Sequence, residues 1–398
     1  MKQGGFLCDL TQSYSAVGGG VRTYLTAKRA FITSQTPYRH LLIVPGDKDR
    51  IIDYGHNITA EIKSPRVPGS PNYRLLLRSK AVIKTLNQHN PISIECLDAY
   101  NLPWAAIKYR EQVGNVGLIA GYRTDFPTVY AEGLTRRFIG KGFSGRLKKR
   151  AYNYARRLYR NFDAVYALEP AMAKRLEGLG VKDVNVLPLG VDLELFNPDK
   201  RDDKWRSSIG AGKNDIVLVY AGRIDKEKQA DIVVEAFLKL PKSLKASLVM
   251  LGEGNLKQSL AEKTQNEAVM FAGFISERAE LAKILASSDL YVSAMAFETF
   301  GISIIEAQAA GLPVVGVAAG AMPERVPKSL GVLGPVGDAD IMAKNIETLW
   351  QSGQLGAMGQ RARNHVEDHF SWNRTFEHLF GHIYTKALGS DFSISQAR

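Results

Sequence analysis

Cysteine is scarce in this chain, and long apolar runs are missing from it. Cys8 and Cys96 are the two cysteines among 398 residues, and both lie in apolar, strand-like contexts. We therefore expect buried, reduced thiols without a disulfide or a metal role. No run of about 18 apolar residues occurs, so a transmembrane helix is not expected. The N-terminus, MKQGGFLCDL, lacks the apolar segment of a signal peptide and is typical of a strand, which favours a cytoplasmic protein.

Acidic residues are absent from one segment, Arg136–Arg160, which contains ten Lys or Arg. The net charge of +12 depends on it, because the remaining 42 basic residues nearly balance the 40 acidic ones. The protein is thus a neutral chain with one basic segment, unlike a chain that is basic throughout.

Short β-rich runs alternate with longer helical patterns along the chain, which is typical of parallel sheets with crossover helices. The length exceeds what one hydrophobic core usually organises, so we expect two domains. The pattern restarts after the polar segment near residues 197–213, where we place the linker. The predicted fold is α/β, with two doubly wound, Rossmann-like domains facing across a cleft; such folds bind ligands at the C-terminal ends of strands.

Three consecutive glycines follow the first strand in SAVGGGVRTY. Gly18, Gly19 and Gly20 let backbone N–H groups approach an anion, and a helix that begins near Val21 would direct its positive end there. The spacing is not that of a nicotinamide-cofactor turn. A phosphate contact and an ordinary tight turn both remain open.

Two cations lie close together in YAGRIDKEKQ, in the second half. Arg223 and Lys228 follow a strand, and a guanidinium and an ammonium at that place can hold a diphosphate between them. The alternative is that they only pair with Asp225 and Glu227.

Two glutamates bracket an apolar stretch in FETFGISIIEAQAAG. A helix is predicted to open near Gly301, so its free N–H groups would favour a phosphate or sugar hydroxyls. Glu298 lies in the preceding loop and Glu306 lies on the helix, where each can accept from hydroxyl groups. The alternative is a capped helix with one exposed acid.

Taken in order, the GGGV turn, LPLGVDLELFNP, GRIDKEK, LGEG and the pair Glu298–Glu306 resemble the family 4 retaining glycosyltransferases of GT-B fold over nearly the whole chain. The resemblance implies an acceptor-binding domain (residues 1–196), a nucleotide-sugar-binding domain (197–365) and a C-terminal helix that crosses back to the first domain (366–398). It implies a nucleotide-diphosphate sugar as donor, UDP- or GDP-linked, and no cofactor.

The resemblance also assigns roles to individual residues. Arg223 and Lys228 would hold the pyrophosphate, helped by backbone at Gly19 and Gly20. Glu306 would bind the ribose. The remaining implied donor contacts are Glu298, with the backbone of Phe300, Gly301 and Ile302, at the sugar, and Phe274 and Ile275 at the base.

One position departs from the family pattern. The segment AGYRTDFPTVY carries Arg123 where the family often has a histidine beside the transferring sugar. Arginine does not titrate near neutral pH, so acid–base chemistry at this position is excluded. Arg123, with Asp125 nearby, remains an acceptor-side candidate that can clamp an anionic sugar or phosphate; a salt bridge to Asp125 or another neighbour is the alternative.

No dedicated carboxylate nucleophile is evident, so the expected mechanism has the leaving diphosphate help deprotonate the acceptor on the same face, without a metal. His365 and His369, like His378 and His382, have i,i+4 spacing, but they lack the order and the partners of a metal motif. We expect them to decorate a terminal helix.

The basic segment predicts one amphipathic helix. Phe143, Leu147, Ala151, Tyr154, Leu158 and Phe162 form its apolar stripe. The cations would be solvated, or would meet anionic lipid at the cytoplasmic membrane face; nucleic acid is not expected. The membrane-contact candidates are Arg146, Lys148, Lys149, Arg150, Arg156 and Arg157.

The function predicted is glycosyl transfer to a lipid or lipid-linked acceptor by a peripheral membrane enzyme. Two alternatives remain: a soluble transferase acting on a small molecule or polysaccharide, and a non-catalytic protein that binds a sugar nucleotide or polyanion. The latter would bind donor without turnover.

Overall fold

Alternating strands and helices build two mainly parallel sheets in the computed structural model, which describes residues 5–14, 19–67, 70–127, 141–389, 392 and 394, with the backbone alone for 70–72 and 141–145. Gly18 lies outside these residues, and so does the side chain of Phe143. The chain divides into two units: residues 1–189 with 372–398, and residues 190–371.

The first unit contains an eight-stranded sheet of order β10-β9-β8-β7-β1-β2-β4-β3, in which neighbours are parallel except β3 and β4. A separate antiparallel pair is formed by β5 and β6. The strands are β1 Phe6–Leu10, β2 Arg39–Gly46, β3 Arg50–Asp53, β4 Asn57–Lys63, β5 Arg66–Val67, β6 Ser70–Arg74, β7 Ser93–Cys96, β8 Gly117–Tyr122, β9 Ala164–Ala167 and β10 Val184–Val186.

Helices connect these strands, and the C-terminal segment adds a final helical run to this unit. They are α1 Gly20–Gln35, α2 Ser79–His89, α3 Leu102–Val113, α4 Lys141–Tyr159, α5 Pro170–Gly178, α14 Trp372–His378, the π-helical turn Leu379–Tyr384 and α15 Thr385–Leu388. Phe31 of α1 stacks on Phe380 with ring centroids 5.5 Å apart, so the C-terminal run is part of this core.

The second unit contains a fully parallel six-stranded sheet of order β13-β12-β11-β14-β15-β16. Its strands are β11 Ile216–Ala221, β12 Ala246–Leu251, β13 Val269–Gly273, β14 Leu290–Val292, β15 Val314–Val317 and β16 Gly331–Gly334. Its helices are α6 Asp203–Ser208, α7 Ala230–Leu238, α8 Lys257–Lys263, α9 Arg278–Ala286, α10 Ile302–Ala309, α11 Met322–Arg325, α12 Ala339–Gln351 and α13 Leu355–His369, with a 3₁₀ turn at Pro198–Lys200.

Residues 197–213, which the sequence suggests as a linker, carry ordered structure. Asp202 caps α6 by accepting from the N–H groups of Lys204 and Trp205. Arg206 of that helix is buried and donates to Asp289 at 2.8 Å. The segment is therefore a folded part of the second unit.

Both units bury continuous apolar strands, as expected for parallel sheets covered on two faces. Cys8 and Cys96 are buried, as predicted, and no disulfide joins them. Burial raises the pKa of both. None of the described helices combines the length and the hydrophobicity that a membrane span requires.

Candidate functional site

The loops after β11 and β14 form the centre of the candidate site. These strands are neighbours, with β12 beyond one and β15 beyond the other, so the chain order reverses between them. A doubly wound sheet binds ligands where this reversal opens a gap at the carboxyl ends of the strands. Arg223 and Lys228 lie in the first loop and Glu298 lies in the second.

Internal ion pairs order the loop after β11. The Arg223 guanidinium donates to Asp225 at 2.5 Å and to Glu227 at 2.8 Å, and its side chain is 58% exposed. Asp225 also accepts from the Lys228 N–H at 2.9 Å. The two acids that the sequence offers as partners of Arg223 do pair with it. Because the pairs are at the surface, they are worth little and an anion can compete for the cation.

Lys228 joins the two loops. Its ammonium lies 3.2 Å from Glu298 Oε2, across 70 positions of sequence. The side chains are 24% and 14% exposed. A cation and a carboxylate are therefore presented side by side at this edge, the former suited to phosphate and the latter to hydroxyl groups.

Glu298 binds the backbone that leads into α10. Its Oε1 accepts from the N–H groups of Thr299 at 3.2 Å and Gly301 at 3.1 Å. Gly301 has φ 81°, which favours glycine, and α10 starts at the next residue. The first N–H groups of a helix lack intrahelical acceptors, and the N-cap residue Gly301 has no side chain to offer one. The positive end of α10 thus lies beside both the Glu298 carboxylate and Lys228.

Glu306 is buried on α10, with 4% of its surface exposed. Arg278 Nη2, from the start of α9, donates to its Oε1 at 2.6 Å. Burial raises the pKa of Glu306, and the Arg278 charge opposes that rise. The reading of a helix with an exposed acid is wrong, because Glu306 is enclosed and paired.

Sequence reasoning missed Arg278, Tyr291 and Arg325. The Tyr291 hydroxyl lies 2.8 Å from Ser303 Oγ and 3.1 Å from the Ala221 carbonyl, so it ties α10 to the end of β11. Arg325 Nε donates to the Phe300 carbonyl at 2.9 Å, with the guanidinium 4.2 Å from the centre of the Phe300 ring. No sequence spacing signals these contacts, because each joins distant segments.

The glycines of LGEG support the loop after β11. A Cβ on Gly252 would lie 1.9 Å from the Gly222 carbonyl oxygen, and one on Gly254 would lie 2.1 Å from that of Ile224. The Ile224 N–H also donates to the Glu253 carbonyl at 3.0 Å. The motif serves to let two loops touch backbone to backbone.

The base-contact candidates follow β13, two strands from β11. Phe274 is 51% exposed and Ile275 is half-buried. An exposed aromatic ring at a sheet edge is available for stacking.

The glycine turn of the first unit directly precedes and begins α1. Gly19 has φ 112°, and the helix begins at Gly20, one residue before the predicted start. Among the described residues, the N-cap makes no side-chain hydrogen bond to this helix, and its first turn contains no acid. No described atom lies within 4 Å of a Cβ added at Gly19 or Gly20, so the described part of the chain leaves the positive helix end uncovered.

Arg123 and Asp125 lie after β8 but do not pair with each other. Asp125 receives a close contact from Arg175 and a hydrogen bond from the Tyr122 hydroxyl at 2.7 Å. Arg123 is 7% exposed and stacks on Tyr24, with its guanidinium carbon 4.4 Å from the ring centre. The alternative of an Arg123–Asp125 salt bridge is wrong.

Helix α4 carries the basic segment. Ala155, Leu158 and Tyr159 are buried, so the inward face lies in its second half. Leu147, predicted as part of the apolar stripe, is 37% exposed. Of the membrane-contact candidates, Lys148 is half-buried and the others are exposed, namely Arg146, Lys149, Arg150, Arg156 and Arg157.

The histidine pairs face each other on helices, with ring centroids 4.6 Å apart for His365–His369 and 4.9 Å for His378–His382. Among the described residues, no group of three or more His, Cys, Asp or Glu is arranged to hold a metal ion.

Comparison with known families identifies both halves of the chain. The sequence pattern named Glycosyltransferase Family 4 matches residues 17–195, and that named Glycosyl transferases group 1 matches residues 201–365. The second match contains all the residues of the candidate site after β11, β13 and β14.

Individual proteins agree with these matches. The GDP-mannose-dependent alpha-(1-6)-phosphatidylinositol dimannoside mannosyltransferase of Mycobacterium tuberculosis is 29% identical over 305 residues, 76% of each chain. The sulfoquinovosyl transferase SQD2 of Arabidopsis thaliana is 26% identical, over 86% of this chain and 68% of its own.

Solved structures agree in fold. Sucrose-phosphate synthase from Thermosynechococcus elongatus superposes with a TM-score of 0.77 at 18% identity, over 96% of this chain and 98% of its own. HepE of Anabaena, solved with UDP-glucose, gives 0.71 at 19% identity, over 96% and 99%. The predicted GT-B fold is confirmed.

Proposed function

The chain belongs to the family 4 glycosyltransferases, and we propose that it transfers a sugar from a UDP- or GDP-linked donor, with retention and without a metal ion, to a lipid or lipid-linked acceptor. The observation that carries the proposal is the convergence of Lys228, Glu298 and the N-terminus of α10 at one edge of the second sheet. The phosphatidylinositol in the name of one relative agrees with a lipid acceptor.

Each part of a nucleotide-sugar donor has a chemical counterpart here. Arg223, Lys228 and the free N–H groups of α10 suit the diphosphate, because charge-assisted hydrogen bonds are the strongest that a protein makes to phosphate. Glu306 suits the ribose hydroxyls, and Glu298, already fixed by two backbone N–H groups, suits the sugar. Phe274 and Ile275 suit the base.

The proposed reaction proceeds on one face of the sugar. The bond from the anomeric carbon to the leaving phosphate oxygen breaks, while the acceptor oxygen forms a bond to that carbon from the same side. The acceptor hydroxyl proton passes to the leaving phosphate. Arg223, Lys228 and the α10 N-terminus stabilise the charge that develops on the diphosphate.

Thermal stabilisation by a panel of UDP-, GDP- and ADP-sugars tests donor binding. A ligand at 100 times its Kd adds about 2.7 kcal/mol to stability. We expect a shift with one nucleotide and its loss in Glu306→Ala. Transfer to lipid acceptors in the presence of EDTA, with the product anomer read by NMR, tests the chemistry. Binding without transfer or donor hydrolysis would favour the non-catalytic alternative.

We further propose that α4 brings the enzyme to an anionic membrane surface. Its first half presents Arg146, Lys149 and Arg150 beside the exposed Leu147. Basic side chains next to an apolar one match the interfacial region of a bilayer, where each Lys or Arg contributes about 1 kcal/mol.

Co-sedimentation with vesicles of phosphatidylglycerol and phosphatidylcholine tests this docking. The triple change Arg146→Glu, Lys149→Glu and Arg150→Glu should weaken partitioning by at least roughly 100-fold. A matched control carries three changes in the second unit, Lys213→Glu, Lys245→Glu and Lys328→Glu. These lysines are exposed and precede β11, β12 and β16, at the amino edge of the second sheet, whereas α4 belongs to the first unit. Equal binding by both triple variants would refute a role for α4.

A further inference from the structure

Arg123 is a buried cation without a carboxylate partner among the described residues. It follows β8 directly and is 7% exposed. Its Nε and Nη1 atoms are buried and have no hydrogen-bond acceptor within the described part of the chain. Such a charge destabilises a fold unless something compensates it.

Two aromatic side chains fix the position of this guanidinium. Tyr24 lies under it, with the guanidinium carbon 4.4 Å from the ring centre, and the Tyr166 hydroxyl shares a side-chain hydrogen bond with it. The Tyr24 and Tyr166 hydroxyls donate to the same Glu95 oxygen at 2.8 and 2.7 Å. Arg123 is thus held before any ligand arrives, which lowers the entropic cost of binding.

The carboxylates near this position already bind other cations. Asp9 and Glu95 each accept from the Lys28 ammonium at 2.7 Å, and Asp125 pairs with Arg175. The Nε and Nη1 donors of Arg123 are therefore left unused, although Glu95 binds both tyrosines beside it and Asp125 lies two residues along the chain.

A second positive feature lies at the same edge of the sheet. Strands β1 and β8 flank β7 and run parallel to it, so Arg123 after β8 and helix α1 after β1 both lie at the carboxyl edge. The start of α1 carries no acid in its first turn, and no atom in the described part of the chain lies within 4 Å of a Cβ added at Gly19 or Gly20. This edge therefore favours a negative group.

We propose that Arg123 binds a carboxylate, sulfonate or phosphate group that belongs to the transferred sugar or to the acceptor, and so selects a charged substrate. The proposal rests on the glycosyltransferase function proposed above. The group is distinct from the donor diphosphate, which every nucleotide sugar contains.

Calorimetric titration with matched probes tests the proposal. The donor pair is UDP-glucose and UDP-glucuronate, with GDP-mannose and GDP-mannuronate as the guanosine pair. The acceptor pair is myo-inositol and myo-inositol 1-phosphate. One pair should bind with a preference of roughly 10- to 100-fold for its charged member, the range for hydrogen bonds to a charged group. The pair that shows the preference identifies the source of the anion.

Substitutions link that preference to this side chain. Arg123→Gln should abolish it, and Arg123→Lys should retain part of it. Arg110→Gln is the matched control, because Arg110 binds Asp163, which precedes β9 at the opposite edge of the same sheet. This control should keep the preference unchanged.

Thermal unfolding supplies an independent readout. Arg123→Gln should raise the Tm of the free protein, because it removes a buried charge that no carboxylate among the described residues neutralises, and should reduce the additional shift caused by 20 mM inorganic phosphate. A lower Tm with an unchanged phosphate shift would overturn the proposal.

The outcomes separate this proposal from the function on which it rests. Donor binding by the wild-type protein without preference in any pair would overturn the role of Arg123 and leave glycosyl transfer intact. An equal loss of affinity for both donors of a pair in Arg123→Gln would also overturn it, because Arg123 would then contact the diphosphate. Failure to bind any nucleotide sugar would instead count against the proposed function, while the phosphate shift still tests Arg123.

Discussion

The Lys228 ammonium lies 3.2 Å from Glu298 Oε2, and this pair joins the loops that follow the two central strands of the second sheet. Glu298 is held at the same time by the N–H groups of Thr299 and Gly301. The carboxylate therefore orients both the cation and the start of α10. A donor diphosphate that draws Lys228 toward itself would leave Glu298 free to accept from sugar hydroxyls.

Alanine substitution of either cation in the loop after β11 should reduce turnover. Lys228→Ala or Arg223→Ala removes a donor that stabilises charge on the leaving diphosphate, and loss of one such donor costs about 10²–10³ in kcat. Lys226→Ala is the control, because Lys226 lies in the same loop but is 76% exposed and faces Asp231. Steady-state transfer assays measure the effect, and near-normal turnover in Arg223→Ala with an intact fold would show that its role is structural.

Glu306→Gln should stabilise the free protein at neutral pH. The folded-state pKa of Glu306 is raised by burial, so this group favours folding below its ordinary pKa of 4.5 and loses that contribution as the pH rises. The variant cannot ionise and avoids this loss. Thermal unfolding from pH 4 to pH 8 should show the Tm of the variant rising relative to that of the wild type as the pH increases. If the two proteins have Tm values that change with pH in parallel, Arg278 compensates the Glu306 charge fully.

The alternation of strands and helices was predictable, because buried parallel strands and crossover helices leave a local signature along the chain. The start of α10 was also predictable, because the helical pattern begins directly after Gly301. The Arg278–Glu306 pair was not, since it spans 28 positions and depends on how α9 packs beside α10. The burial of Glu306 was missed with it.

The first unit also contains a buried ion pair that the sequence does not predict. Lys28 appears in the sequence as one cation of an ordinary helix, TAKRAF, but it lies fully buried between Asp9, Glu95 and the Tyr384 hydroxyl. The contact with Tyr384 joins residues 356 positions apart. Sequence periodicity reports which face of an element is apolar, and it carries no information about which distant charge completes a buried pair.

Lys28→Met should unfold or strongly destabilise the first unit. It leaves Asp9 and Glu95 as buried carboxylates without their cation, which typically costs about 3–5 kcal/mol. Lys80→Met on the exposed face of α2 is the control. Circular dichroism during urea unfolding measures the change, and a midpoint equal to that of the control would show that water or a rearranged side chain replaces the ammonium.

Acid should weaken the same unit through Asp9. Burial alone would raise the pKa of this carboxyl, but Lys28 and His40 outweigh burial and hold it at about 2. A carboxyl with a depressed pKa stabilises the fold above its ordinary pKa of 3.8 and loses that contribution as the pH falls toward 2. Asp9→Asn should be less stable than the wild type at pH 6, and the difference should shrink near pH 2 in urea unfolding; a difference independent of pH would assign the effect to packing.

Gly254→Ala should impair donor binding without touching any residue proposed to contact the donor. The added Cβ would lie 2.1 Å from the Ile224 carbonyl oxygen, so the backbone that carries Arg223 and Lys228 must move. Overpacking of this kind costs about 1–3 kcal/mol. Gly356→Ala is the control, because nothing lies within 4 Å of its Cβ in α13 and alanine favours a helix. Nucleotide-sugar titration should show weaker binding for Gly254→Ala alone, and unchanged binding would mean that the two loops separate without moving the cations.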